Sequence, residues 1–282
     1  MYNLSITNNL GETLKLTHNS SYTIINIEGL TPPKASINTS FFAGGDGAGF
    51  NSARMDTRNI VLTIAPEIPV ERNRINLYRF FQVKRRVTIA YSNGTRNVVI
   101  DGYVESVEGN LFSSRQSIDI SIICLQPYFK DAMTIISDLS RILSNFEFPF
   151  DITEEGTEIS IFDPIYAVNV KNNGDAPNGV TITLFANGEV VNPIIYNVNT
   201  RDEFALNFTM QKGDLITIDT NRGYKSVILT RLGINTNLIN KVKKFSTWFT
   251  IDVGENLFTY DADVGADLLD ISFHHVDLYE GV

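Results

Sequence analysis

Apolar and polar residues alternate along most of this chain, and that period of two predicts strands. TLKLT (Thr13 to Thr17), YTIINIEG and KASINTS alternate in this way, and TRNIVLTIAP is the clearest strand of the first third. The period changes in PVERNRINLYRFFQVKRR, where Ile75, Leu77, Tyr78, Phe81 and also Phe80 recur at helical spacing, with Pro69 and Glu71 at the entry. VTIAY-SNG-TRNVVIDGYVESVEG then reads as a hairpin turned at Asn93-Gly94, and RQSIDISIICLQP as a further strand closed by Pro127. In KDAMTIISDLSRILSNF the positions of Met133, Ile136, Leu139 and Leu143 predict a linker helix capped by Asp131. Beyond it the alternation returns: VTITLFA-NG-EVVNPIIYN predicts a second hairpin at Asn187-Gly188, and Gly213-Asp214 and Arg222-Gly223 mark later turns.

This order predicts a mainly β protein of two domains. Residues 1–130 form a β-rich domain with one α-helix, and residues 131–282 a β-sandwich. Strand and helix do not alternate, so a parallel α/β fold is excluded.

FFAGGDGAGF (Phe41 to Phe50) is the one stretch that invites a ligand. A dinucleotide fingerprint starting at Gly45 and Gly47 needs a third glycine where Phe50 stands. Gly44 to Gly49 has the spacing of a P-loop, but Phe50 occupies the lysine position. What remains is a pliable element made of Phe41, Phe42, Gly44, Gly45, Asp46, Gly47, Gly49 and Phe50. It is either a finger covered by another chain or a mobile turn with its phenylalanines tucked into the subunit's own core.

Charge and reactive residues narrow the picture. The chain carries 32 acidic and 23 basic residues, a net charge of -9, which argues against a surface that binds nucleic-acid phosphates. The single cysteine, Cys124, lies in an apolar run and is expected in the core. His275 and Asp277 would share a strand face and are expected to be solvated; with only His18 besides His274 and His275, a zinc site lacks ligands. Glu154-Glu155 and Asp261-Asp263 lie in polar turns where acids are ordinarily hydrated, so no catalytic, cofactor or metal residue is assigned. The basic residues Arg72, Arg74, Arg79, Lys84, Arg85 and Arg86 read as a partner surface or a helix end. Neither a signal peptide nor an apolar run of membrane-spanning length is readable, so a cytosolic product is expected.

Several segments in order resemble the distal tail protein (Dit, siphovirus-type tail component) family of long-tailed phages. They are TRNIVLTI, ERNRINLYRFFQ, VTIAYSNGTRNVVIDGYVESVE, LQPYFKD, VNVKNNGDAPNGVTITLF, GDLITIDTNRGYKSVIL, FSTWFTIDVGENLFTY and VDLYEGV. The resemblance implies a belt module, six copies of which close a homohexameric ring, and a galectin-like β-sandwich outside it. It implies contacts with the tail tube protein, a Tal-like tail-tip hub protein, the tape measure protein and receptor-binding or baseplate proteins. DNA would pass only in transit, at the virion tail tip, after assembly in the bacterial host cytoplasm and without membrane insertion. Interface residues would then be the glycine element together with Arg72, Arg79, Lys84, Arg85 and Arg86, with carboxylates expected on the lumen side of the first domain. The alternatives are a carbohydrate-binding tail adhesin using Trp248, Tyr224 or Tyr260, a wall hydrolase, and a part of a contractile tail or tail-like bacteriocin.

Overall fold

The computed structural model describes residues 2–113, 115–139, 142–144, 160–162 and 167–282. The chain divides into two compact units, Met1–Ala132 with Leu278–Val282, and Met133–Asp277. The last five residues therefore join the first unit, although the sequence reading grouped them with the second.

The first unit contains β1 (Asn3–Asn8), β2 (Thr13–Lys15), β3 (Tyr22–Glu28), β4 (Ala35–Phe41), β5 (Ala48–Met55) and β6 (Arg58–Pro66). Helix α1 (Val70–Phe80) follows, then β7 (Arg86–Ser92), β8 (Asn97–Asn110), β9 (Ser117–Cys124) and β10 (Phe129–Asp131). Its main sheet runs β2-β1-β7-β8-β9-β6-β3, and β10 pairs with both β8 and the closing strand Leu278–Tyr279. Every second residue of β6 and β9 points inward: Ile60, Leu62 and Ile64 meet Ile118, Ile120 and Ile122 in the core. Cys124 lies there too, and burial pushes its thiol up to about 12. Asn93-Gly94 turns the β7–β8 hairpin as expected, with Gly94 at φ +88 and the Asn93 carboxamide oxygen accepting from the Thr95 and Arg96 backbone N–H groups.

Helix α1 packs Leu77 and Phe81 on this core, while Ile75 faces solvent and Asn73 takes the buried place. Asn73 earns burial through its carboxamide, which donates to the Glu67 and Ser21 carbonyls and ties the helix entry to the preceding loop. Because the helix ends at Phe80, Lys84, Arg85 and Arg86 lie beyond its last turn, where Arg79 is the cation.

The second unit contains β11 (Ile135–Leu139), β12 (Ile142–Ser144), β13 (Ser160–Phe162), β14 (Ala167–Asn172), β15 (Thr181–Ala186) and β16 (Val190–Val191). Then come β17 (Ile194–Asn197), β18 (Asp202–Ala205), β19 (Thr209–Met210), β20 (Leu215–Asp219), β21 (Ser226–Arg231), β22 (Ile234–Asn237), β23 (Gly254–Asp261) and β24 (Leu269–His275). Two sheets, ordered β11-β24-β15-β20-β21-β22 and β14-β23-β17-β18, share one core. Ile182, Leu184, Ile216 and Ile271 enter it from the larger sheet, and Val170, Ile195, Phe204 and Phe258 from the smaller. Phe258 on β23 and Phe273 on β24 bring their ring centroids within 4.8 Å between the layers, so this unit is a sandwich.

Two sequence expectations fail here. The linker helix predicted after Asp131 is absent among the described residues. Ile135–Leu139 is an edge strand paired with β24 from Ile135↔His275 to Leu139↔Ile271, and Ile142–Ser144 pairs with Ser160–Phe162. The β-branched run Thr134-Ile135-Ile136 suits a strand, and a free edge of β24 supplies the backbone bonds that helical spacing does not require. Asn187-Gly188 does not turn a hairpin either. It carries the chain from β15 in the larger sheet to β16, which pairs with β19, and the Asn187 N–H donates to the Leu268 carbonyl.

Candidate functional site

The glycine element is the tip of a β-hairpin that stands apart. β4 and β5 pair only with each other, from Ala35↔Met55 to Phe41↔Ala48, with a bulge after Asn38↔Ser52. All of β4 and most of β5 are exposed. Gly44 and Gly47 adopt φ of +82 and +91 at the tip, a conformation that costs other residues about 1 kcal/mol. The phenylalanines are not tucked into the core: Phe41 is 86% exposed, Phe42 62% and Phe50 69%. Directly opposed residues share a face and alternate residues return to it, so the register places Ile37, Phe41 and Phe50 on one side.

An isolated two-stranded hairpin is marginal in water, and an apolar face on one is a contact surface in waiting. Burying one such side chain is worth about 1.5–3 kcal/mol, so covering Ile37, Phe41 and Phe50 yields about 5–9 kcal/mol before the costs of association. Such a surface is suited to burial against another apolar surface, and neither phosphate-binding spacing of the tip is complete, because Phe50 replaces its last required residue.

The basic residues do not form a single face. Arg86 starts β7 and pairs with Asp101 at 3.0 Å. Asp101 lies below the usual carboxylate range although burial opposes this, because it accepts from Thr88 and Arg86. Lys84 stands at φ +69 in the turn after α1, its N–H donating to the Val104 carbonyl, and Arg85 is exposed beside it. Arg74 pairs with Glu71 and lies over the Tyr78 ring, while Arg72 and Arg79 project into solvent.

The acid excess has its own location. Residues 1–132 with 278–282 hold 13 Lys and Arg against 12 Asp and Glu, whereas residues 133–277 hold 10 against 20. The expected lining of carboxylates on the first unit thus has no surplus to draw on.

One structurally central residue was missed from sequence. Arg58 opens β6 and is 2% exposed. Its guanidinium donates to the carbonyls of Pro127 (2.6 Å), Gly29 (2.5 Å), Thr31 (3.0 Å) and Glu280 (2.5 Å), and lies 4.6 Å from the Phe129 ring centroid. Burial pulls its pKa down, while Cys124 and Glu280 hold it up. Arg96 adds a second tie, stacking over Tyr279 at 4.3 Å and donating to the Gly281 carbonyl. Together they fasten residues 278–282 to the first unit.

Other candidates fall away. His275 and Asp277 are buried, not solvated; their Nε2 and Oδ1 lie 3.5 Å apart, with the Lys171 carbonyl 3.2 Å from the same ring nitrogen. No group of three potential metal ligands exists among the described residues. Asp261 and Asp263 are exposed, and Glu154 and Glu155 lie outside the described residues. An open depression of about 680 Å³ lined by Leu16, His18, Asn19, Tyr22 and neighbours contains no carboxylate. Of the aromatic trio, Tyr260 is buried and Trp248, in irregular chain and not a strand, packs edge-on against Phe204 at 5.1 Å; only Tyr224 is open to a sugar.

Residues 173–275 match the family described as siphovirus-type tail component, C-terminal domain. The crystal structure of the SPP1 Dit (gp 19.1) protein, described as a paradigm of the hub adsorption apparatus in Gram-positive infecting phages, is similar with a TM-score of 0.69. Identity is 11%, over 97% of this chain and 98% of that one. The phage P2 baseplate in its activated conformation, with Ca and with Sr, gives TM-scores of 0.52 and 0.51 at 10% identity, over 98% of each chain. No curated protein matches.

Proposed function

We propose that this chain, whose second unit matches the siphovirus-type tail component C-terminal domain and whose fold is similar to that of the SPP1 Dit protein, is a structural protein of a phage tail tip. The family match of residues 173–275 carries the reading. In it, copies of the first unit close a ring that continues the tail tube, leaves a channel for DNA and seats a Tal-like hub. The sandwich, galectin-like by resemblance, faces outward toward baseplate or receptor-binding parts.

Three features support the assignment. The β4–β5 hairpin offers an apolar surface that is left uncovered in the described chain and suits a partner. The first unit is close to charge balance, so a channel it lines neither gathers phosphates nor opposes them strongly. The acidic excess of the sandwich unit keeps exposed copies soluble and apart. The reading assigns no catalysis to any residue.

Antibody labelling of particles from cells that encode this chain tests the proposal. Label at the tail end distal to the capsid is the expected result; particles without label there, or a chain found only free in the cytosol, refute it.

A further inference from the structure

We infer that Asn93-Gly94 is a site of spontaneous deamidation, and that its conversion loosens the closing residues 278–282. The chain holds four Asn-Gly pairs, at 93-94, 173-174, 178-179 and 187-188. The chemistry requires the glycine N–H to lose its proton to solvent base and the nitrogen to attack the asparagine Cγ. A new C–N bond closes a succinimide ring, the Cγ–Nδ2 bond breaks, and the departing nitrogen takes up a proton from water and leaves as ammonia. Water then opens the ring. Attack at Cγ gives aspartate, and attack at the backbone carbonyl gives isoaspartate, linked through its side chain. Glycine favours the first step because no Cβ shields its nitrogen. The dipeptide is the same at each site, so the fold must choose between them.

Three of the pairs are guarded. Gly174 is buried, and its N–H already donates to the Asn172 Oδ1 at 2.9 Å. Gly179 is buried too, where an added Cβ would stand 2.5 Å from the Asn221 Cα, and the Asn178 carboxamide donates to the Val276 carbonyl at 3.0 Å. The Asn187 carboxamide donates to the Asp270 carboxylate at 2.6 Å, and a negative charge beside the pair opposes loss of the glycine proton.

Asn93 has the reverse arrangement. Gly94 is exposed at φ +88 with open space where a Cβ would stand, and its N–H has no partner among the described residues. The Asn93 Oδ1 reaches past Gly94 to accept from the Thr95 N–H at 3.1 Å, the Thr95 hydroxyl at 2.8 Å and the Arg96 N–H at 2.9 Å. This folds Cγ over the peptide that must attack it, and the donors on its oxygen stabilise the negative charge that the attack places there. Isoaspartate lengthens the turn backbone and withdraws the oxygen that Thr95 and Arg96 share. Arg96 also stacks over Tyr279 and donates to the Gly281 carbonyl, so a displaced turn pulls on the closing residues.

The test incubates the full native chain in mildly alkaline buffer beside a sample unfolded in urea, and follows the four Asn-Gly peptides by mass spectrometry. In the native chain Asn93 is expected to convert about tenfold faster than Asn173, Asn178 or Asn187, the factor that one hydrogen bond held or broken supplies. In urea the rates should converge. Equal rates in the native chain, or an Asn93 that keeps its amide, overturn the inference. Hydrogen exchange then reads the consequence. The Val282 N–H and the Leu278–Tyr279 strand should lose protection in the aged chain, but not in a fresh Asn93→Asp variant, which keeps the acceptor oxygen. Unchanged protection in the aged chain, or an equal loss in the aspartate variant, overturns the link through the turn.

Discussion

Replacing Arg58 with methionine removes a side chain that binds three separated stretches of the first unit. The guanidinium fork reaches the carbonyls of Gly29, Thr31, Pro127 and Glu280, and methionine has a similar reach without donors. Each buried carbonyl left unpaired costs about 1–3 kcal/mol, and some at the surface regain water, so a loss of about 3–5 kcal/mol is expected. For a unit of this size that corresponds to a fall in Tm of about 10–20 °C. The assay pairs thermal unfolding with hydrogen exchange, because the damage has an address. The Val282 N–H, which donates to the Leu30 carbonyl at 3.1 Å, should lose protection first, followed by the β10 ladder to Leu278–Tyr279. Lysine at position 58 keeps the charge but not the fork and should fall between the two. A methionine variant within about 1 kcal/mol of the native chain refutes the reasoning, since a buried cation is often replaceable by an apolar residue when its partners find other donors.

The sandwich offers a pH test. Asp214 is buried, accepts a bidentate fork from Arg231 at 2.7 and 2.5 Å and a bond from the Gln211 N–H, and lies below the usual carboxylate range, chiefly because of Arg231. A depressed folded pKa stabilises the fold above the unfolded value near 4, and this contribution is lost as pH falls through the folded pKa. Asp214→Asn should cost about 2 kcal/mol at pH 7 and flatten the acid limb of a urea-melt series; an unchanged limb counts against the assignment. At Gly265, φ is +75 and an added Cβ would lie 2.2 Å from the Glu189 carbonyl oxygen, whereas Gly213 at φ +87 is open. Alanine should therefore cost about 2–4 kcal/mol at 265 and about 1 at 213 by denaturant melts, and equal costs would show that the contact is relieved cheaply. The Cys124 thiol, buried and pushed up to about 12, should resist a maleimide probe in the native chain and react on unfolding; rapid native labelling contradicts its core position.

What could be read from the sequence was whatever is encoded locally. A strand with one face on a core must alternate, so β6, β8 and β9 were legible residue by residue. The helix was legible too, apart from Asn73, whose burial depends on carbonyls supplied by a loop and a neighbouring strand entry. Errors arose where pairing, not pattern, decides. Ile135–Leu139 obeys the edge of β24, which is more than a hundred residues away in sequence. Asn187-Gly188 looks like a hairpin turn because nothing local distinguishes a turn within one sheet from a step between two. Arg58 looked like any strand-end cation, because its four acceptors are backbone carbonyls, and carbonyls leave no mark on composition.

The hairpin shows the same limit from the other side. KASINTS alternates like its neighbours, yet none of its residues is buried in the subunit, and β5 carries no obvious apolar face that would declare it a strand. Alternation says that one side of a strand wants cover, not which chain provides it. In β6 the cover includes Leu77 of α1 and Phe81 just after it; in β4 the described chain provides none. A pattern written for burial, on a segment that buries nothing among the described residues, leaves an apolar face that the proposed tail-tip assembly could cover. Under the proposed function, the same period of two that encodes the fold also marks a surface for association.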